Sequence, residues 1–493
     1  MSARRNWLCA AMMVVMLGWE VPVFGADIPA LGLDLPYPFF EDPLLSKPEV
    51  IEKGVILPGD AVPISCVQPS NFSQPLALGE AVDIALCNNP QIKATWANIK
   101  IRANAVGEAR AAYLPNLSGS VNRTKDRINY TDSRYTDSDI TRTTYQGGLT
   151  WRLFDFGGRD ANRRAANHLL NAALASHNAQ LQKVLSDVAQ AYFDAMTTKS
   201  ALKAATEGGN IAQATLNSAK EREAKGVISQ SDRLRATTAL AQAVLEQNRA
   251  NRDYKKALAV LGQILGVQTN IVITMPEEFA ENAGEIGKNL NCWLEEAQKN
   301  HPAIVAARAQ LVAAQNQVTV VKSAGLPTVN FSANYYRNTR PGEAVTSTEA
   351  QETTVGIGLS IPLFDGFTNT YKIRGAQAQV EQKKAELADT ENQIALELIK
   401  AYVDATVAIQ NLGASADLLK AAQEALAVSK RRYDKGAADI TEMLSTQSTL
   451  SEARHQRIRC LAEWHSARLR LLASAGQMGR AAAIEEKYYL KGN

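Results

Sequence analysis

Residues 354–361, Thr-Val-Gly-Ile-Gly-Leu-Ser-Ile, alternate small or polar side chains with apolar ones along the chain. Residues 328–335, Thr-Val-Asn-Phe-Ser-Ala-Asn-Tyr, alternate in the same way. Successive side chains of a β-strand point to opposite faces, so each stretch predicts a strand with one polar and one apolar face. The stretches 116–121 and 145–153 show a similar alternation and predict two further strands.

The composition of the two faces indicates where these strands lie. The polar faces consist of Gly, Ser, Thr and Asn, which suit a water-filled lumen, whereas the apolar faces carry Trp151, Phe331 and Tyr335, which suit lipid. A transmembrane β-barrel fits this pattern better than a small sandwich, which needs a dense core of large side chains. A sheet of four strands has two open edges, and lipid cannot form hydrogen bonds with the backbone N–H and C=O groups there. Several chains must therefore share one barrel. Two copies would give about eight strands and a plugged interior, and three about twelve and an open lumen.

The chain contains the same structural unit twice. Matching motifs recur at a constant offset of 210, namely Leu-Phe-Asp at 153–155 and 363–365, Ala-Tyr-x-Asp-Ala at 191–195 and 401–405, and glycine at 226 and 436. A constant offset over so long a stretch indicates a tandem duplication. The predicted units are a signal peptide at 1–25, an extended Pro-rich segment at 26–75, a first repeat at 76–266, a linker at 267–285, a second repeat at 286–476 and a tail at 477–493. Each repeat is predicted to contain one strand hairpin, at about 116–154 and at about 327–363. The polar loops of these hairpins cover about 123–143 and 337–352.

The rest of each repeat is predicted to be long helix. Residues 158–225 contain no proline, and apolar side chains recur there every seven residues, as in a coiled coil. About 65 residues of helix make a rod about 100 Å long. Each rod ends at a glycine, Gly226 or Gly436, where the chain can reverse into a second helix. Such helical hairpins would pack side by side around the barrel axis and extend it as a tube.

The N-terminus indicates export from the cytoplasm. Two arginines precede a short apolar stretch at 8–18, and cleavage is expected after Gly25. An oxidising compartment permits disulfides, and Cys66 and Cys87 would close a loop of about 20 residues. Cys292 and Cys460 could be bridged to each other or remain free thiols, and the sequence leaves both possibilities open.

The order of these motifs, over about residues 76–476, resembles the outer-membrane efflux protein family of TolC-like channels. The resemblance implies a fold that is mainly α with a transmembrane β-barrel, in which antiparallel coiled-coil hairpins form a periplasmic α-barrel. Four strands from each chain would contribute to a twelve-stranded barrel in a homotrimer. It further implies a location in the outer membrane of a Gram-negative bacterium, in contact with outer-membrane lipid. The implied protein partners are a periplasmic adaptor and an inner-membrane transporter, either an ABC protein or a proton-driven pump.

The turns at the ends of the rods are the candidate adaptor contacts. A turn that projects from a rod is the surface offered to a partner deeper in the periplasm, and functional contacts concentrate on such turns. The candidate residues are Lys225, Gly226, Val227, Lys435, Gly436 and Ala437.

The resemblance also implies a gate at the periplasmic entrance, just beyond the turns. The candidate gate residues are Ser231, Asp232, Tyr433, Glu442 and Ser445. The family's latch arginine corresponds here to Ala438, so Arg222, Arg432 or Lys435 must replace it, or closure rests on hydrogen bonds alone. Three copies of Glu442 would form a ring of like charges that favours cations and could bind a blocking metal ion.

Composition and motifs exclude other classes. Lys and Arg total 53 against 50 Asp and Glu, so the chain lacks the large excess of positive charge that is typical of proteins that bind nucleic acid. The sequence has neither zinc-ligand spacing nor a nucleophile elbow nor a phosphate-binding loop, so we expect no enzyme, no metal site and no cofactor. The main hypothesis is a passive duct for a secreted protein or for small molecules. The alternatives are an outer-membrane-anchored scaffold or adhesin, and a periplasmic adaptor, which would need a compact β domain.

Overall fold

The computed structural model describes residues 42–48, 75–132, 134, 138–267, 273–276, 287, 289–339, 349–435 and 437–478. The predicted signal peptide, most of the Pro-rich segment, Cys66, Gly436 and the tail beyond residue 478 lie outside the described residues. All the elements described below belong to one compact unit that begins at Leu44.

The helices and strands follow the same order in both halves of the chain. The first half contains α1 (Leu78–Asn88), α2 (Pro90–Ala111), β1 (Asn116–Ile128), β2 (Ser138–Phe154), α3 (Gly158–Ala224) and α4 (Gln230–Leu265). The second half contains α5 (Leu290–Asn300), α6 (Pro302–Ser323), β3 (Thr328–Thr339), β4 (Glu349–Ser360), α7 (Thr368–Asp434) and α8 (Ile440–Ser474). The long helices α3 and α7 each have 67 residues, so the predicted rods are confirmed.

Side chains at equivalent positions start the corresponding helices of the two halves. The Asn89 side chain accepts a hydrogen bond from the backbone N–H of Gln91 (2.8 Å) at the start of α2. His301 Nδ1 accepts one from the N–H of Ala303 (3.2 Å) at the start of α6. Both helices then begin with proline, whose fixed φ suits the first helical position. The same cap is therefore built from an amide in one half and an imidazole in the other.

The four strands form one antiparallel sheet in the order β1-β2-β3-β4, so β2 and β3 join the two halves. This confirms the predicted strands, but they run farther than expected, since β1 reaches Ile128 and β2 begins at Ser138. The predicted polar loop at 123–143 is therefore wrong at both ends. The predicted loop at 337–352 is wrong at both ends as well, because β3 reaches Thr339 and β4 begins at Glu349. Cross-strand ion pairs stabilise the extension, because Arg127 opposes Asp139 at 3.0 Å. Both faces are polar there, so hydrophobic alternation no longer marks the strand.

The helices pack as a layer in which α6 and α8 lie between the long helices α3 and α7. The helices α2 and α4 pack on the other side of α3. The largest apolar core lies where α1 and residues 273–276 meet the middle of α3, and the Tyr192 hydroxyl there donates to the carbonyl of Leu76 (3.0 Å). Within the described residues, no helix is both long enough and apolar enough to cross a lipid bilayer.

Candidate entrance site at the hairpin tips

The first tip joins α3 to α4 through a glycine turn and a capping box. Gly226 has a φ of 72°, a left-handed conformation that glycine adopts without steric cost. Its neighbour Val227 donates its N–H to the carbonyl of Arg222 (2.9 Å), which ends α3. The Ser229 hydroxyl then accepts from the N–H of Asp232 (3.2 Å), and the Asp232 carboxylate accepts from the N–H of Ser229 (3.2 Å). The chain thus reverses direction within a few residues.

The second tip joins α7 to α8 by a related turn with a different cap. Ala437 donates its N–H to the carbonyl of Arg432 (2.8 Å) at the end of α7. The Asp439 side chain accepts a hydrogen bond from the N–H of Glu442 (2.8 Å) at the start of α8. Because Asp439 supplies the cap, the Glu442 side chain is available for other contacts.

An apolar cluster packs the two tips against each other. Its buried members come from all four helices of the two hairpins. They are Leu216, Ala219, Ala236, Tyr433, Ile440 and Met443. Tyr433 is only 4% exposed, and its hydroxyl has no hydrogen-bond partner among the described residues. The tyrosine therefore contributes to the site through its ring.

Two arginines of the first hairpin make polar links to the second. The Arg222 guanidinium lies over the Tyr433 ring, 4.3 Å from its centroid, and donates to the Tyr433 carbonyl at 3.2 Å. Arg235 donates to the Thr441 hydroxyl at 2.7 Å. A cation over an aromatic face is attracted by the ring quadrupole, and the attraction grows when the pair is shielded from water. The two hairpins are thus held together at their tips.

Two ion pairs act within single hairpins instead. Arg432 of α7 pairs with Glu442 of α8 at 2.8 Å. Glu223 of α3 pairs with Arg233 of α4 at 2.7 Å. The Arg432 and Glu442 side chains are substantially exposed, so solvent screens their attraction.

The structure distributes the predicted gate residues over different roles. Tyr433 lies at the contact between the hairpins, whereas Glu442 is bound by an arginine of its own hairpin. The Asp232 carboxylate is engaged in its own helix cap. Ser231 lines a groove of about 660 Å³ between the hairpins, and Ser445 is exposed.

Two of the three candidate replacements for the family's latch arginine contact predicted gate residues. Arg222 contacts Tyr433 and Arg432 contacts Glu442, while Lys435 is exposed. Sequence reasoning missed the link between Arg235 and Thr441. The offset of 210 could have indicated it, because Thr441 is equivalent to the predicted Ser231 and Arg235 to the predicted Ser445.

A second polar cluster lies midway along the long helices. Arg470 of α8 donates to the Asp404 carboxylate of α7 (3.3 Å) and to the Gln190 side-chain oxygen of α3 (3.1 Å). The Gln190 amide donates in turn to Asp194 (2.9 Å), whose pKa is raised by burial. Asp194 and Asp404 are the aspartates of the repeated Ala-Tyr-x-Asp-Ala motif. Arg470 therefore links the two equivalent aspartates, directly to Asp404 and through Gln190 to Asp194.

The cysteines also have defined states in the structure. Cys87 is disulfide-bonded. Its predicted partner Cys66 lies outside the described residues, so that pairing stays a prediction. Cys292 and Cys460 are free thiols.

Comparison with known proteins places the chain among bacterial channels. The family model described as outer membrane efflux protein matches residues 81–267 and 293–477. Protein CyaE of Bordetella pertussis is 36% identical over 422 residues, which are 85% of this chain and 88% of that protein. Outer membrane protein TolC of Escherichia coli is 21% identical over 401 residues, 78% of this chain and 79% of TolC. The solved structure of the Campylobacter jejuni CmeC outer membrane channel superimposes with a TM-score of 0.73 at 15% identity, covering 87% of this chain and 94% of CmeC.

Proposed function

The chain belongs to the outer membrane efflux protein family, and we propose that the contact between its two hairpin tips is the closed entrance of the duct. Members of this family are outer-membrane channels of Gram-negative bacteria that serve tripartite efflux and type I secretion systems. They act as trimers with a periplasmic adaptor and an inner-membrane pump, and they are not enzymes. The energised step therefore belongs to the pump, and this chain supplies the passage.

The membrane portion of the duct is proposed to be a barrel that three copies close. The observation that supports this is the exposed apolar face of the sheet, on which Leu117 and Ile357 are each 71% exposed. Among the residues that the structure describes, β1 and β4 each pair with one neighbour only, so one side of each strand has no ladder partner there. Backbone groups in lipid must be paired, and three copies would join these edges into a closed barrel of about twelve strands.

Opening of the entrance is proposed to separate the hairpin α3–α4 from the hairpin α7–α8. Separation would break the Arg222–Tyr433 contact and the Arg235–Thr441 hydrogen bond, while the ion pairs within each hairpin could persist. Glu442 would still face the entrance in each copy. Because Arg432 neutralises part of its charge, the cation preference of the ring should be weaker than that of three isolated carboxylates.

The tips are proposed as the contact surface for the adaptor. Lys225 and Val227 are exposed in the first tip, with Val227 67% exposed, and Lys435 and Ala437 are exposed in the second. An exposed apolar side chain beside cations on a projecting turn suits a partner surface with apolar and acidic groups. Gly436 belongs to the same proposed surface and lies outside the described residues.

Planar-bilayer recording of the purified full-length protein tests the duct and its gate together. We expect discrete conductance steps, and openings that become more frequent when Arg222→Gln removes the contact between the hairpins. A duct without this gate would conduct equally well with and without Arg222. A scaffold or adhesin would give no discrete steps at all, and that result would overturn the proposal.

A further inference from the structure

The apolar face of the sheet changes its chemistry along the strands. A row of directly paired residues, Leu117, Leu149, Ala333 and Val355, crosses all four strands on this face. The next row toward the helices is Trp151, Phe331 and Ile357. Both rows are apolar, as expected for a surface in contact with lipid acyl chains.

Away from the helices the same face becomes basic. Alternate residues of a strand share one face, so Arg123, Lys125 and Arg127 of β1 project from the same side as Leu117. Arg337 of β3 lies on this side as well, since it pairs with Tyr145, which in turn pairs with Val121. All four cations are exposed.

The excess of positive charge is confined to this face. By the strand register, its charged residues are four cations, Arg123, Lys125, Arg127 and Arg337, and two anions, Asp139 and Glu349. The opposite face carries two cations, Arg142 and Arg152, and two anions, Asp126 and Glu352. On that face Arg142 pairs with Asp126 at 2.9 Å, and its charges balance. The polar lumen is therefore near neutral, and the lipid side is basic at one end.

The dimensions put the basic end at the level of the lipid headgroups. From Leu359 to Gln351 the apolar face of β4 spans about 26 Å along the strand. A tilt of about 40° reduces this to about 20 Å across the membrane, close to the usual apolar band of about 25 Å. Arg337 pairs with Gln351 at the end of this band, and Arg123 lies two residues beyond Val121. The helices lie in the periplasm, so this end meets the outer leaflet.

We propose that Arg123, Lys125, Arg127 and Arg337 form a basic collar that binds phosphate-bearing headgroups of lipids in the outer leaflet. The proposal rests on the proposed function, because the collar faces lipid only if the sheet closes into a membrane barrel. Guanidinium groups match phosphate oxygens bidentately, and the resulting hydrogen bonds are charge-assisted. Asp139 contacts Lys125 (3.2 Å) and Arg127 (3.0 Å), so one carboxylate orders two of the cations and leaves a net positive charge.

Native mass spectrometry of the purified full-length protein in detergent tests the collar with lipid A as the probe. We expect lipid A carrying both phosphates to bind at least about tenfold more tightly than dephosphorylated lipid A. The triple variant Arg123→Gln/Lys125→Gln/Arg127→Gln should lose this preference. The matched control Asp126→Asn/Arg142→Gln removes an ion pair from the opposite face and should retain it. Equal binding of both lipid forms by the wild-type protein, or an equal loss in the control, would overturn the collar.

Bilayer recordings on the same preparations separate the two proposals. A wild-type channel that conducts but shows no phosphate preference refutes the collar alone. A wild-type protein that neither conducts nor remains a trimer refutes the proposed function. If the triple variant fails to assemble, the single variant Arg123→Gln provides the test. It should lower the preference for phosphorylated lipid A severalfold, and an unchanged preference would contradict the proposal.

Discussion

The two hairpin tips are built on equivalent positions, yet their polar contacts differ. Asp232 in the first tip and Glu442 in the second are related by the offset of 210. The Asp232 carboxylate closes the capping box with Ser229, whereas Glu442 reaches Arg432 at 2.8 Å. One additional methylene, and an aspartate at the preceding cap, redirect the same carboxylate position from its own helix to the neighbouring helix. The length of the side chain thus decides whether the carboxylate binds within its own helix or pairs with an arginine of the neighbouring helix.

A second pair of equivalent positions shows a larger difference. Glu223 and Arg233 form an ion pair in the first hairpin, and their counterparts in the second hairpin are Tyr433 and Met443, both buried. At these two positions the first hairpin therefore has an ion pair, and the second has buried side chains of the apolar cluster. Arg222, the counterpart of Arg432, lies over the aromatic ring of the other hairpin. Tyr433 of the second hairpin is thus the buried anchor that Arg222 of the first hairpin contacts.

Removing the anchor should give the largest effect. Tyr433→Ala deletes a buried aromatic side chain, and such truncations cost about 3–5 kcal/mol. We expect a lower thermal midpoint in detergent and a larger open conductance in bilayers. Tyr433→Phe is the matched control, because the hydroxyl has no partner among the described residues and the ring still faces Arg222. Equal losses in both variants would show that the hydroxyl, and not the packing, is important.

The two equivalent helix caps should differ in their response to pH. Burial lowers the pKa of His301 to about 4, whereas its counterpart Asn89 does not titrate. Unfolding restores an ordinary pKa of about 6.5, so the unfolded chain binds more protons between these values and stability falls as the pH drops from about 6.5 to about 4. The full loss is at most about 3.4 kcal/mol. Thermal unfolding at pH 7.5 and 4.5 measures it.

The variant His301→Asn installs the cap of the first half in the second. It should unfold with a smaller difference between the two pH values than the wild-type protein. His177, whose pKa burial also lowers to about 4, remains in both proteins and contributes equally. An unchanged pH dependence in the variant would assign the effect to His177 or to other groups.

Breaking the contact between the hairpins should have an intermediate effect. Arg222→Gln removes the cation over Tyr433 and the hydrogen bond to its carbonyl, contacts worth about 1–2 kcal/mol together. We expect the channel to open more often in bilayer recordings. Arg432→Gln, at the equivalent position, removes an ion pair within one hairpin and should change the open probability less. The opposite ranking would reverse the proposed roles of the two arginines.

The smallest change in stability is expected at the exposed ion pair. Glu442→Gln should cost less than about 1 kcal/mol, because solvent screens its attraction to Arg432. Its effect should appear in ion selectivity, as a lower preference for cations measured from the reversal potential in a salt gradient. Asp232→Asn neutralises the equivalent carboxylate, which is engaged in its helix cap, and should leave selectivity unchanged. Equal shifts in both variants would contradict the difference between the tips.

The strands and long helices, which make up most of the fold, could be predicted from the spacing of apolar residues in the sequence. The four strands and the two rods were found from periods of two and seven residues, since each period follows from backbone geometry. The strand ends near Ile128 and Ser138 were missed, because side chains outside the lipid are polar on both faces. At the candidate site, the family resemblance indicates Tyr433 and Glu442 as gate residues, which stays a prediction. It names Arg222 and Arg432 as possible replacements for the latch arginine without assigning a partner to either. The contact between Arg235 and Thr441 was not predicted at all.

By itself the sequence determined the local conformations, including the duplicated order of elements and the position of the reversal at Gly226, because these depend on neighbouring residues and on backbone sterics. Only the tertiary structure decided which arginine meets which partner. Arg222 and Tyr433 lie 211 positions apart, and their contact depends on how two long hairpins pack side by side. Equivalent residues of the two halves have the same local backbone conformation. Side-chain length and the burial of Tyr433 decide which partner each of them contacts.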